Sequence, residues 1–143
     1  ISKVYAYCLL KNHFHLLIKI NDDADVISQS FSNLFNAFTK AMNKKYNRTG
    51  SLLEKPFKRI IITDEIYLKM LIVYIHLNPE HHNVSKDFTT YKYSSYQSFL
   101  SEQETNIQRK YVLEFFDGLE NFIEIHRDKK MTIKEKISDL FLE

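Results

Sequence analysis

Apolar positions first alternate along this chain and then recur at helical spacing. Val4-Tyr5-Ala6-Tyr7-Cys8-Leu9-Leu10 is apolar and rich in β-formers, and His13 to Ile20 follows a Lys11-Asn12 break short enough for a hairpin. Period-two alternation puts His13, His15, Leu17 and Lys19 on one face of the second strand. Phe14, Leu16, Ile18 and Ile20 share the other, with Phe14 expected to anchor the strand in the core. After the polar break Asn21 to Asp25, residues 28–46 carry Phe31, Leu34, Phe35, Phe38, Met42 and Tyr46 at i, i+3, i+4, i+7 spacing. This predicts a helix whose stripe is buried as core. A loop with Gly50 leads to Phe57-Lys58-Arg59-Ile60-Ile61-Ile62, which predicts a strand.

Thr63 or Asp64 can cap a further helix, which is expected to stop at about Asn78 because Pro79 disfavours helical geometry at the residue before it. Residues 80–106 read as irregular. There Tyr91, Tyr93 and Tyr96 are suited either to packing or to stacking on bases. Helices are expected over about 107–116, 119–128 and 132–142, the last with an Ile133, Ile137, Leu140, Phe141 stripe. Strand–strand–helix–strand–helix with a helical tail is an α+β order with a mostly antiparallel sheet.

Composition narrows the class. With 44% hydrophobic and 27% charged residues in 143 positions, the chain is an ordinary globular one with enough length for a core. No apolar run reaches the roughly 18–20 residues that span a bilayer, so no membrane partner is expected. The single Cys8 excludes an internal disulfide and fits a reducing cytoplasm. Net charge is only +2, but its distribution is uneven. Lys40, Lys44, Lys45, Arg48, Lys55, Lys58 and Arg59 stand against Glu54 alone, a local +6 that leaves −4 on the remainder. Such a block suits an anionic ligand, or else a solvated helix end.

Two short patterns carry chemistry. His13 and His15 lie roughly 6–7 Å apart along one strand face, so both imidazoles can reach one metal ion; they can equally be packed or exposed without one. Tyr74 and Asn78 are four apart on one helix face. Asn78 offers an amide oxygen to a metal. Tyr74 offers a hydroxyl that is a nucleophile once its proton, with a pKa near 10, is removed; alternatively it is one more core aromatic beside Leu71, Ile72, Val73 and Ile75. His76, His81, His82 and His126 are expected to be surface residues rather than ligands.

Asn12-His13-Phe14-His15-Leu16-Leu17, followed some sixty residues later by Tyr74-Ile75-x-x-Asn78-Pro79, resembles the HUH endonucleases with one catalytic tyrosine, most of all the REP-associated tyrosine transposases and their insertion-sequence relatives. The basic loop Lys44 to Gly50, the segment Lys55 to Arg59, Ser94-Ser95-Tyr96 and Val112 to Phe116 match in order, so the resemblance covers nearly the whole chain. It departs at Lys11, where a proline is usual, at Leu53 in place of an aromatic, and at Glu80-His81-His82 in place of a small basic stretch.

The resemblance implies a ferredoxin/RRM-like antiparallel sheet with helices on one face, a catalytic domain over 1–100 and a helical extension over 101–143. It also implies a further central strand and a helix ahead of Val4, too early to be supplied by a sequence starting at Ile1. The implied activity is cleavage and strand transfer on single-stranded or hairpin DNA. Tyr74 would form a 5′-phosphotyrosine link; His13, His15 and Asn78 would hold Mg²⁺ or Mn²⁺; and Asn12, Lys44, Lys45, Arg48, Lys55, Lys58 and Arg59 would contact DNA. The resemblance also implies a bacterial, nucleoid-associated cytoplasmic protein, with a homodimer and a monomer both open. The competing expectation is a non-catalytic binder of structured single-stranded nucleic acid.

Overall fold

The computed structural model describes residues 2–54 and 58–128. The strand β1 (Ser2–Leu9) and the strand β2 (Phe14–Ile20) form a two-stranded antiparallel sheet. Helices follow as α1 (Ala24–Tyr46), α2 (Glu65–His81), α3 (Tyr96–Leu100), α4 (Arg109–Phe115) and α5 (Leu119–Asp128), with a short 3-10 turn at Phe88–Thr90. The class is therefore α+β. None of these helices is long and apolar enough to cross a membrane. The expected helix at 132–142 lies outside the described residues.

Among the described residues the chain divides into two compact units: residue 2 with 20–54 and 58–61, and residues 3–19 with 62–128. In the second, Tyr5, Ala6, Cys8 and Leu17 of the hairpin share a core with the run Leu71 to Val73, Ile75 and Leu77, and with Phe88, Tyr96, Phe99, Ile107, Val112, Phe116 and Phe122. Residues 101–128 thus belong to the same core as the hairpin. Both faces of β1 are covered, since the adjacent Tyr5 and Ala6 are each buried. Its outer edge is occupied as well: Leu9 N–H donates to Tyr93 O (2.9 Å), Ser95 N–H to Tyr7 O (3.0 Å) and Gln108 N–H to Val4 O (2.9 Å). Loop backbone thereby satisfies an edge that would otherwise be open.

Four sequence expectations are corrected. First, α2 does not stop at Asn78 but continues through Pro79 to His81. Pro79 stands in the last turn, where few bonds remain to be lost. Every residue from Leu71 to Pro79 is buried, which offsets the cost of about 3 kcal/mol for an interior proline. Beside it, Asn78 Nδ2 donates to Tyr74 O at 2.9 Å, one turn back on the same helix.

Second, residues 58–62 form no strand: a strand exists only in a ladder, and no described backbone runs beside them, leaving Ile61 89% exposed. Third, Phe14 is not a core anchor. It is 38% exposed, as is Leu16, and the buried side of β2 is the one bearing Leu17 and the histidines. Fourth, the stripe on α1 is only partly covered. Phe31, Phe35 and Met42 are half-buried, Leu34 (58% exposed), Phe38 and Tyr46 face solvent, and Ile27 is the buried residue of that helix. Periodicity fixes which residues share a face, but not what covers it.

Helix ends follow local chemistry. Asp64 caps α2 by accepting from Tyr67 N–H at 2.7 Å, as one of the two candidate caps was expected to do. α1 ends on Asn47 in the left-handed region (φ 51°), a conformation asparagine tolerates, and Gly50 follows with φ 87°.

A candidate metal centre beside a buried tyrosine

The hairpin turn closes through Leu10 N–H donating to His13 O at 2.9 Å, which sets His13 just ahead of β2 and His15 two residues into register with it. The two imidazoles meet edge to face with centroids 5.3 Å apart. Asn12 Oδ1 lies 2.8 Å from His13 Nδ1. Because an amide oxygen only accepts, Nδ1 carries the proton and Nε2 keeps its lone pair for a ligand.

The longer α2 changes the membership of the site. Tyr74, Asn78, His81 and His82 fall at i, i+4, i+7 and i+8, so carrying the helix past Pro79 aligns all four with the hairpin. The His82 ring stands 4.6 Å from His13, and Tyr74 stands 5.6 Å from His15 and 5.8 Å from His81. His13, His15 and His82 each offer one nitrogen, and these atoms lie within 4.8 Å of one another, a grouping able to hold a metal ion. His82 was expected to be a surface residue without this role. It is indeed exposed, but its ring belongs to the histidine group.

Asn78 is fully buried. Its Nδ2 is committed to Tyr74 O, which fixes the amide orientation, and its Oδ1 has no hydrogen-bond partner among the described residues. His15 Nε2 is likewise buried without one. Burial, and then the nearby His13 and His82, push His15 down to about 4, so it is a neutral imidazole at pH 7. The Asn78 amide pulls weakly the other way, although the pair makes no hydrogen bond of normal geometry. Two buried polar atoms without a hydrogen-bond partner among the described residues, beside two further imidazoles, fit a cation when the His15 tautomer leaves a ring nitrogen unprotonated there.

His76 and His126, expected at the surface, are both 0% exposed. His126 Nδ1 donates to Phe122 O (2.6 Å), so its Nε2 accepts from His76 Nδ1 (2.8 Å). His76 Nε2 then accepts from Ser95 Oγ (2.8 Å), which itself accepts from Tyr7 N–H (2.9 Å). One tautomer set satisfies the whole chain with both rings neutral, and burial holds both well below the usual histidine value. This relay ties β1, α2, Ser95 and α5 together on the side of α2 away from Tyr74. Local patterns do not reveal it because its bonded members are up to 88 positions apart. Tyr96 packs against Phe88 (4.9 Å) in the same core, so it does not offer a face to bases.

The expected DNA-binding cations that are described lie in the other compact unit. Lys44 and Lys45 are exposed in the last turn of α1, and Arg48 Nη1 reaches Asn43 Oδ1 at 3.4 Å. Arg59 Nη1 donates to Ser28 Oγ at 3.1 Å. These residues and Lys58 belong to the first compact unit, while the histidines and Tyr74 belong to the second; Lys55 lies outside the described residues. Compared with family models, curated proteins and solved structures, the chain matches none.

Proposed function

We propose that this chain is a metal-dependent, transposase-like endonuclease and strand transferase of single-stranded or hairpin DNA, of the HUH type, with Tyr74 as nucleophile. The observation that carries the reading is the convergence of Tyr74 and Asn78 from α2 on His13 and His15 from the hairpin. Sixty residues separate the two patterns, and neither would mean much alone.

In this reading the Tyr74 phenolic oxygen forms a bond to phosphorus as the P–O3′ bond breaks. The strand on one side is left as a 5′-phosphotyrosine; the departing 3′ oxygen takes up a proton and becomes a free hydroxyl. Attack by that hydroxyl, or by one from another strand, reverses the exchange, so DNA is rejoined without an energy cofactor. A divalent ion, Mg²⁺ or Mn²⁺ by the resemblance, would when bound polarise the phosphate and favour phenolate. His13, His15 and Asn78 would hold it, Asn12 fixes the His13 tautomer, and the buried setting of Tyr74 limits competing water. Lys44, Lys45, Arg48, Lys55, Lys58 and Arg59 would contact backbone phosphates.

Incubation of the chain with hairpin-containing single-stranded DNA and Mn²⁺, read on a denaturing gel, tests the proposal. A covalent species is expected from the unaltered chain and from Tyr93→Phe, and none from Tyr74→Phe. Salt-sensitive binding without any adduct would instead favour a non-catalytic binder.

A further inference from the structure

We propose that His82 is a third nitrogen ligand of this centre, which makes the site selective for a transition-metal dication such as Mn²⁺, Co²⁺ or Zn²⁺ over Mg²⁺. The inference deepens the metal half of the preceding reading and is independent of the nucleophile.

Three observations carry it. His13, His15 and His82 each place a ring nitrogen within 4.8 Å of the other two, close enough for a small movement to bring all three onto one ion. Asn78 Oδ1 and His15 Nε2 are buried there without a hydrogen-bond partner among the described residues, so the site carries donor atoms whose demand the protein itself does not meet. Asn12 holds the His13 proton on Nδ1, presetting the tautomer in which Nε2 can ligate. The set offered is three imidazoles and one neutral amide oxygen, with no carboxylate in the group.

That set discriminates by chemistry. Mg²⁺ takes oxygen ligands in an octahedron at short range, keeps several waters and is normally bound through carboxylates and phosphates. Imidazole suits Zn²⁺, Co²⁺ and their neighbours, with affinity rising from Mn²⁺ through Co²⁺ to the later metals. Three histidines with a fourth position left for water or substrate is also an arrangement in which Zn²⁺ is catalytic. His82 is the residue that moves the balance, since without it the nitrogen and oxygen donors number two and one.

The test is metal binding by the full chain, stripped with chelator and titrated separately with Mg²⁺, Mn²⁺, Co²⁺ and Zn²⁺ by calorimetry, with the visible absorption of Co²⁺ followed in parallel. The expected order is Zn²⁺ and Co²⁺ above Mn²⁺, with Mg²⁺ at least about a hundredfold weaker than Co²⁺. His82→Ala is expected to weaken Co²⁺ and Zn²⁺ by about tenfold or more, to change the Co²⁺ spectrum and to leave Mg²⁺ binding unaltered. Because His82 is exposed at the end of α2, an unchanged unfolding midpoint of the variant will show that the fold is kept. Equal affinity for Mg²⁺ and Co²⁺, or an unchanged Co²⁺ affinity and spectrum in His82→Ala, would overturn the proposal. Co²⁺ binding through His82 with no DNA adduct would keep this inference and remove the nuclease reading. A Mg²⁺-supported adduct indifferent to His82 would do the reverse.

Discussion

At the scale of single residues, Asn12 and Asn78 do the same kind of work on opposite sides of the centre. Each spends one polar atom on positioning and so aims another group at the site. Asn12 Oδ1 accepts a hydrogen bond from His13 Nδ1–H, and Asn78 Nδ2 donates to Tyr74 O. Asn12→Ala is therefore expected to weaken Co²⁺ or Mn²⁺ binding by about tenfold through loss of tautomer and orientation, with stability little changed at this exposed turn. Calorimetry on the variant checks it; an affinity equal to that of the unaltered chain would remove Asn12 from the site. His126→Leu is a different kind of change. It leaves the buried His76 Nδ1–H without its acceptor, so a loss of roughly 2–4 kcal/mol is expected in denaturant unfolding.

Element by element, what the sequence revealed depended on whether the deciding interaction was local. The hairpin was legible because alternation and a two-residue break are local signals, and the cap at Asp64 likewise. The pair His13 and His15 and the pair Tyr74 and Asn78 were legible because period fixes the face. His82 was not legible because the local effect of Pro79 is to stop the helix, whereas α2 runs on to His81. Proline removes one hydrogen bond and strains one carbonyl, and in a last turn this is tolerable when nine consecutive residues before its end are buried. The strand expected at 58–62 failed for the opposite reason, since its local β preference was correct but a ladder requires a neighbour. On α1 the apolar stripe is real and its burial only partial, because the covering surface is never written in the helix itself.

For the molecule as a whole, two properties follow from charge. His76 and His126 are buried and neutral, His126 held at about 4, whereas both titrate near 6.5 when unfolded. Below pH 6.5 the unfolded chain gains protons that the folded chain refuses. Stability is thus full above about 6.5 and falls as pH drops toward 4, by up to roughly 1.4 kcal/mol per pH unit for each histidine. His15 acts in the same direction. Thermal midpoints between pH 7.5 and 4.5 will show this, and a midpoint flat from 6.5 to 5 would contradict the buried neutral pair.

The second property concerns DNA. If the basic block contacts phosphates, replacing Lys44, Lys45 and Arg48 together by Ala should lower the slope of log affinity against log salt by about 2 for single-stranded DNA. Metal affinity should be untouched, since none of those residues is in the histidine group. An unaltered slope would place the DNA path elsewhere.

The central claim is that Tyr74 becomes covalently attached to DNA, and the peptide sequence allows a direct reading. Cleavage after Lys69 and Lys86 releases residues 70–86, in which Tyr74 is the one tyrosine. Tryptic digestion and nuclease trimming of the adduct, followed by mass spectrometry, should find the nucleotide phosphate on that peptide and localise it to Tyr74. A nucleotide carried by any other tyrosine-containing peptide, or none on residues 70–86 when an adduct is present on the gel, would contradict the account.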